Sequence, residues 1–270
     1  MSLVLGIDAA WSEKNPSGVA LVSTGTDRPR LIRAAPSFED FVLGTAPDAW
    51  CGKHASRASV PDILRTAKEI GDGAITVVAV DMPLAHTPIS ARRRCDNAVS
   101  EAFGARGCST HSPTEQRPGK LSEMFHRQAK AAGFALKTSA SGMDGPALLE
   151  VYPHMALLTL CSAERRLPYK LSRRSKNFPD RDHASRLEVV RAEWNKILAR
   201  LNRHIDLHLE IDCAGKTLRH WKAWEDVIDA VVCCWVGLEW LAGRAKPYGD
   251  DCAAIWVPAT SPLDGIADVA

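Results

Sequence analysis

Two short, unbroken apolar runs, each closed by an aspartate, constrain this chain more than any other feature. Leu3-Val4-Leu5-Gly6-Ile7 runs into Asp8, and Thr76-Val77-Val78-Ala79-Val80 runs into Asp81-Met82-Pro83. Runs of this length without polar alternation describe strands covered on both faces, as in a largely parallel sheet flanked by helices. Pro83 forbids further pairing, so the second run must end there. If the two strands are parallel neighbours, joined by a crossover, both carboxylates leave the same edge of the sheet. Ligand sites of open α/β sheets lie outside such carboxyl ends.

The rest of the pattern fills in around these two strands. Asn15-Pro16-Ser17-Gly18 is a dense turn signal, and the apolar stretches 19–22 and 31–34 that follow complete a three-strand antiparallel meander. Further strands are expected over 148–152, closed by Pro153, and over 254–257; Ile205, Leu207, Leu209 and Ile211 alternate as another strand would. Helical periodicity is expected over 37–41, 59–70, 91–103, 121–132, 155–161, 183–201 and 221–241. Pro61 near the start and Gly71 just past the end mark the second of these. Leu187, Val190, Trp194, Ile197, Leu198 and Leu201 form one stripe of the sixth. The order predicts an α/β fold, a mixed sheet of meander then parallel strands flanked by helices. It forms a single domain over 1–270, with 86–146 and 162–220 as helical insertions or a subdomain.

Composition excludes several function classes. Lys+Arg is 34 against Asp+Glu 32, so a nucleic-acid partner must rest on local basic patches, not on net charge. The eight cysteines include no C-x-x-C pair, which removes zinc ribbons and redox dithiols and leaves buried thiols of a reducing compartment. The N-terminal run reads as strand rather than signal peptide. The longest apolar stretch, 227–241, carries Asp229 and Glu239 and is too short to span a bilayer. The expected location is therefore cytoplasmic, without a membrane partner. There is no P-loop or G-x-G-x-x-G, and His204 and His208 lack the glutamate of an H-E-x-x-H zinc site.

Asp226 and Asp229 stand three apart at the entry to the apolar run, on one helical face. Acids near a helix start complement its dipole, which accounts for Glu225 and Asp226. Asp229 lies deeper, where an unpartnered charge is costly. Converging carboxylates repel, and hard divalent ions with oxygen ligands relieve that repulsion. For a single strand-end aspartate the competing account is local hydrogen bonding to backbone.

The motifs Gly6-Ile7-Asp8, Val80-Asp81-Met82-Pro83, Glu150-Val151-Tyr152-Pro153-His154 and Asp226-Val227-Ile228-Asp229-Ala230, in this order, resemble the domain of unknown function 429 family. That family is described as predicted RNase-H-like nucleases related in fold to Holliday-junction resolvases. The likeness extends to Ile255-Trp256-Val257-Pro258. It implies an RNase-H-like fold and a metal site of Asp8, Asp81, Asp226 and Asp229, holding two Mg²⁺ or Mn²⁺ ions. Resolvases commonly carry Glu on the fourth strand, where this chain has the shorter Asp81. Phosphodiester hydrolysis by two ions would follow. Glu150 is a further candidate catalytic residue and His154 a candidate proton-transfer group.

Two basic runs could track a phosphate backbone: Arg92 and Arg93 after Asp81, and Lys170, Arg173, Arg174 and Lys176. The expected function is a metal-dependent nuclease acting on DNA or RNA. The rivals are a nucleic-acid- or nucleotide-binding protein with a degenerate site, and an actin-like phosphotransferase, which would need a glycine-rich phosphate loop. Related resolvases are dimers, so a homodimer is compatible with the resemblance.

Overall fold

The computed structural model describes residues 1–12, 14–25, 27–50 and 59–259. Its sheet has eight strands: β1 (Ser2–Asp8), β2 (Gly18–Ser23), β3 (Arg30–Ala35), β4 (Ala74–Val80), β5 (Ala135–Leu136), β6 (Ala147–Val151), β7 (Ala245–Gly249) and β8 (Ala254–Pro258). They lie in the order β3-β2-β1-β4-β6-β8-β7. β1, β2 and β3 form the antiparallel meander, and β4, β6 and β8 continue parallel to β1. β5 and β8 share the far edge of β6, pairing with its first and second halves respectively.

The helices are α1 (Phe38–Leu43), α2 (Val60–Ile70), α3 (Arg94–Phe103), α4 (Lys120–Ala131), α5 (Pro153–Leu160), α6 (Arg174–Asn177), α7 (His183–Leu201) and α8 (Leu218–Leu241). Side-chain alternation along the strands sorts them into two layers. Leu3, Leu5, Ile7, Val78 and Val80 face α1, α2 and α4, whereas Val4, Val77, Ala79 and Leu149 face α5, α7 and α8. This is why β1 and β4 read as unbroken apolar runs: neither of their faces meets water. α3 packs over β7 and β8 with a smaller core of its own around Cys95, Val99 and Phe103. No helix among the described residues is long and apolar enough to cross a membrane.

α8 lies directly on β1 and β2, and two glycines permit it. A Cβ at Gly6 would stand 2.1 Å from the Ala230 carbonyl oxygen, and one at Gly18 would stand 2.2 Å from that of Asp226. Backbone approaches backbone here, so the helix acids come down to the sheet edge.

Two expectations need correction. Residues 205–211 do not form a strand; a single bridge joins Asp206 to Arg30, and Ile205 and Leu207 turn into the α7–α8 core. The alternation there reflects a loop laid across a hydrophobic surface, which shares the period of a strand without its ladder. Conversely β7, Ala-Lys-Pro-Tyr-Gly, has too weak a pattern to be expected, and forms because it hairpins onto β8.

Replacing Gly6 with alanine forces two backbones apart. The expected loss is roughly 3 kcal/mol, at the upper end for overpacking, measured by urea unfolding. A loss below about 1 kcal/mol would contradict the close contact between α8 and β1.

Candidate functional site

Asp8 and Asp81 end neighbouring parallel strands, with Ile7 opposite Val80 and the Asp81 amide donating to the Ile7 carbonyl at 2.9 Å. By alternation each belongs to the strand face that carries Val4 and Ala79, the face covered by α8. α8 presents Glu225, Asp226 and Asp229 there, all buried. The structure thus brings all four sequence-predicted aspartates to one place and adds Glu225.

The five carboxylates are unequally partnered. Asp229 accepts from the Tyr169 hydroxyl at 2.7 Å and from the Lys170 ammonium. Glu225 accepts from the Leu171 amide at 2.7 Å and from Lys222 at 2.8 Å, with Lys170 at 3.5 Å. Asp226 is bound by Lys222. Asp8 and Asp81 make no side-chain hydrogen bond or ion pair among the described residues.

Five acids against two ammonium groups leave the cluster negative, and proton affinities respond. Burial, then the Asp8 and Asp229 charges, push Asp81 well above its ordinary value, against the pull of Lys170. Burial also raises Asp226 strongly and Asp229 to about 6, with Lys222 and Lys170 opposing and Asp8 adding to each. Burial would raise Glu225 too, but Lys170 and Lys222 hold it below its ordinary value. Burial alone would discharge Lys170; Asp229 and Glu225 keep it cationic.

The acids look onto a cleft in two joined halves. One, of about 570 Å³, is lined by Asp8, Trp11, Lys14, Arg219, Lys222 and Asp226. The other, of about 580 Å³, is lined by Asp8 and Asp81 together with Arg117, Arg166 and Arg173. Trp11, Lys170 and Lys222 border both halves.

The donor set tests the expected metal. Asp8 and Asp81 supply hard, unpartnered oxygens beside a negative cluster, which suits a divalent cation. Asp226 and Asp229 are each already neutralised by an ammonium. No three of the four aspartates bring oxygens within 4.8 Å of one another; among the described residues only Cys95, Asp96 and Glu150 form so tight a group. The Arg93 guanidinium supplies the positive charge there.

That ion pair bears on two expectations. Glu150 takes two hydrogen bonds from Arg93, at 2.6 and 2.7 Å, and one from the Leu84 amide at 2.7 Å. It braces the segment after Asp81 and stands away from the cleft lining. Arg93, 9% exposed at its side chain, also binds Asp96, so its guanidinium is committed to internal acids. Arg92 is likewise engaged, by Asn97, Ser100, Ser112 and the carbonyls of Asp96 and Thr110. Arg174 turns back to the Leu171 carbonyl. Lys170 belongs to the acid cluster, Lys176 is exposed on α6, and Arg173 alone of the six reaches the cleft with its guanidinium unengaged. His154 is buried at the cleft wall with Arg166 2.5 Å from Nε2. Burial, then Lys170, Arg166 and Arg173, hold it far below its ordinary value, so it is neutral and a poor proton carrier at neutral pH.

Tyr169, Glu225, Lys222, Trp11, Arg117 and Arg166 were not expected in the site. Lys222 had a legible signal, since it precedes Asp226 by four on one helix. Glu225 lies on the same helix, where its place near the start also suits the helix dipole; Tyr169, Trp11, Arg117 and Arg166 arrive by loops whose course no periodicity reveals.

Fold and site together define an α/β protein with an acid-floored, cation-rimmed cleft at the carboxyl ends of its parallel strands. The chain belongs to the family described as protein of unknown function (DUF429), which it matches over residues 6–253. No curated protein and no solved structure matches it.

The Arg93–Glu150 pair predicts a clean separation of stability from function. Arg93→Met leaves a buried carboxylate uncompensated and is expected to lower stability by about 3–5 kcal/mol in denaturant titration. Mn²⁺ affinity should remain that of the wild type when measured where the variant is folded; a large drop would return Glu150 to the metal set.

Proposed function

We propose that this chain is an RNase-H-like, divalent-metal-dependent nuclease that hydrolyses phosphodiester bonds in DNA or RNA at the Asp8–Asp81 edge. The observation that carries the reading is the pair of unpartnered carboxylates on adjacent parallel strand ends, in one cleft with three arginines. The sheet order, an antiparallel meander and then β4 and β6 parallel to β1, supports the fold assignment. Mg²⁺ or Mn²⁺ held by Asp8 and Asp81 would polarise a phosphoryl oxygen and lower the pKa of a bound water. Lys170 and Lys222 neutralise Asp229 and Asp226, so a second ion requires both lysines to release them. Glu225 holds the two ammonium groups in place, and the guanidinium wall orients the phosphate.

The two lysines on the helix acids favour a second reading, a nucleic-acid- or nucleotide-binding protein with a degenerate site. Calorimetric Mn²⁺ titration separates the two. The nuclease reading expects saturable binding that is lost in Asp8→Asn and in Asp81→Asn, and metal-dependent cleavage of nucleic acid that is lost with it. Absence of Mn²⁺ binding in the wild type, or binding unchanged in both variants, would remove the metal site. Saturable binding without cleavage of single-stranded, duplex or branched DNA and RNA would favour the second reading.

The pH dependence of that binding has a definite sign. Burial and Asp8 raise the proton affinity of Asp81, so a proton competes with the cation. Mn²⁺ affinity is expected to rise from about pH 5 to about pH 8, because binding releases the proton. An affinity flat across that range would mean that Asp81 is not a ligand.

A further inference from the structure

Three arginines line the second half of the cleft together with Asp8 and Asp81, and none has a carboxylate partner among the described residues. Arg117 has its guanidinium carbon 5.9 Å from the centre of the Trp11 ring. Arg173 makes no side-chain hydrogen bond. Arg166 meets only His154 through its guanidinium. Arg93, buried away from this cleft, is by contrast neutralised by Glu150 and Asp96. Three guanidinium groups without a carboxylate partner on one cavity favour an anion from outside.

The Arg166–His154 contact is the most informative part. A guanidinium has only donors, so Nε2 of His154 must accept and its ring hydrogen must sit on Nδ1. That Nδ1 is buried and has no hydrogen-bond partner among the described residues. A carboxylate in this place would grip Arg166 more firmly but would cancel its charge. A neutral imidazole, 6% exposed, fixes the guanidinium and leaves the charge available.

We infer that this half of the cleft is a phosphate subsite formed by Arg117, Arg166 and Arg173, and that it takes the terminal phosphomonoester of a nucleotide or nucleic-acid end. Planar guanidinium groups match phosphate oxygens in pairs. A terminal phosphate carries about −1.5 to −2 charges at neutral pH, against one for an internal diester, and suits three cations better. The volume, about 580 Å³, lies within the roughly 300–1,000 Å³ typical of small-ligand pockets. Trp11, beside Asp8 on the border of both halves, is positioned to meet the sugar or base. The subsite deepens the nuclease reading by making it end-directed. It rests on that reading only for the reaction, since the arginines need no metal to bind phosphate.

The test is calorimetric binding to the full chain in EDTA. The probes are a thymidine dinucleotide with a 5′-phosphate, the same dinucleotide with a 5′-hydroxyl, and inorganic phosphate as competitor. The phosphorylated form should bind about tenfold or more tightly than the hydroxyl form, the scale of one charge-assisted hydrogen bond, and inorganic phosphate should displace it. Arg117→Gln and Arg173→Gln, both at exposed positions and checked for unchanged Tm, should each reduce that preference. Equal affinity for the two dinucleotides that neither variant weakens, or a preference intact in both variants, would overturn the subsite. Equal affinity weakened alike by both variants would reassign it to an internal diester and overturn the end-directed reading. Loss of Mn²⁺ binding in a separate titration, with the phosphate preference intact, would sink the nuclease reading and leave the subsite standing.

Discussion

The contact of α8 with β1 and β2 is the constraint on which the rest of this structure depends. Ordinary helix-on-sheet packing keeps the two backbones apart by the thickness of interleaved side chains. Gly6 and Gly18 remove that layer at two points, and Ala230 and Asp226 move into the space. The helix axis is thereby fixed in height and in phase. Asp226 and Asp229 arrive beside Asp8 and Asp81 as a result, because carboxylate side chains are too short to bridge an ordinary separation. The same close approach excludes water from the helix acids and produces the raised proton affinities of Asp226 and Asp229.

Burying so much negative charge is tolerable only with compensation, and the fold distributes it in two ways. On the helix side Lys170 and Lys222 are internal counterions, with Glu225 linking them. On the strand side Asp8 and Asp81 have none and open onto the cleft. An enclosed pair would have to be neutralised by protonation or by its own cation, whereas a pair at a cleft can be neutralised by whatever enters. Glu150, one strand further along, shows the structural alternative, with Arg93 as a permanent partner.

Much of this was legible from residue order. The strands at Leu3–Ile7 and Thr76–Val80, and the shared edge of Asp8 and Asp81, follow from period, length and the crossover rule, whereas the place of Asp226 and Asp229 beside them was implied only by the family resemblance. Of the two counterions only Lys222 is legible, by its spacing from Asp226. Tyr169, Lys170 and Arg166 sit in a segment with almost no regular structure, and their placement depends on Glu225 capturing the Leu171 amide, a contact some fifty residues away in sequence. The internal engagement of Arg92 and Arg93 was hidden for a related reason. Local charge density records how many cations are present, and says nothing of whether the fold supplies each with its own acceptor.

The loop that follows α7 has a consequence for assembly. Its Asp206 amide donates to the Pro29 carbonyl at 2.8 Å and its carbonyl accepts from the Leu31 amide at 2.9 Å, so the start of β3 is already paired on its outer side. At the opposite border β7 carries Pro247, which lacks an amide proton, and α3 packs against it. Exposed ladder groups are what allow a sheet to recruit a strand from another chain. With one border occupied and the other interrupted, this sheet is poorly suited to growth by strand addition, and association between copies has to use helical faces or the rim of the cleft.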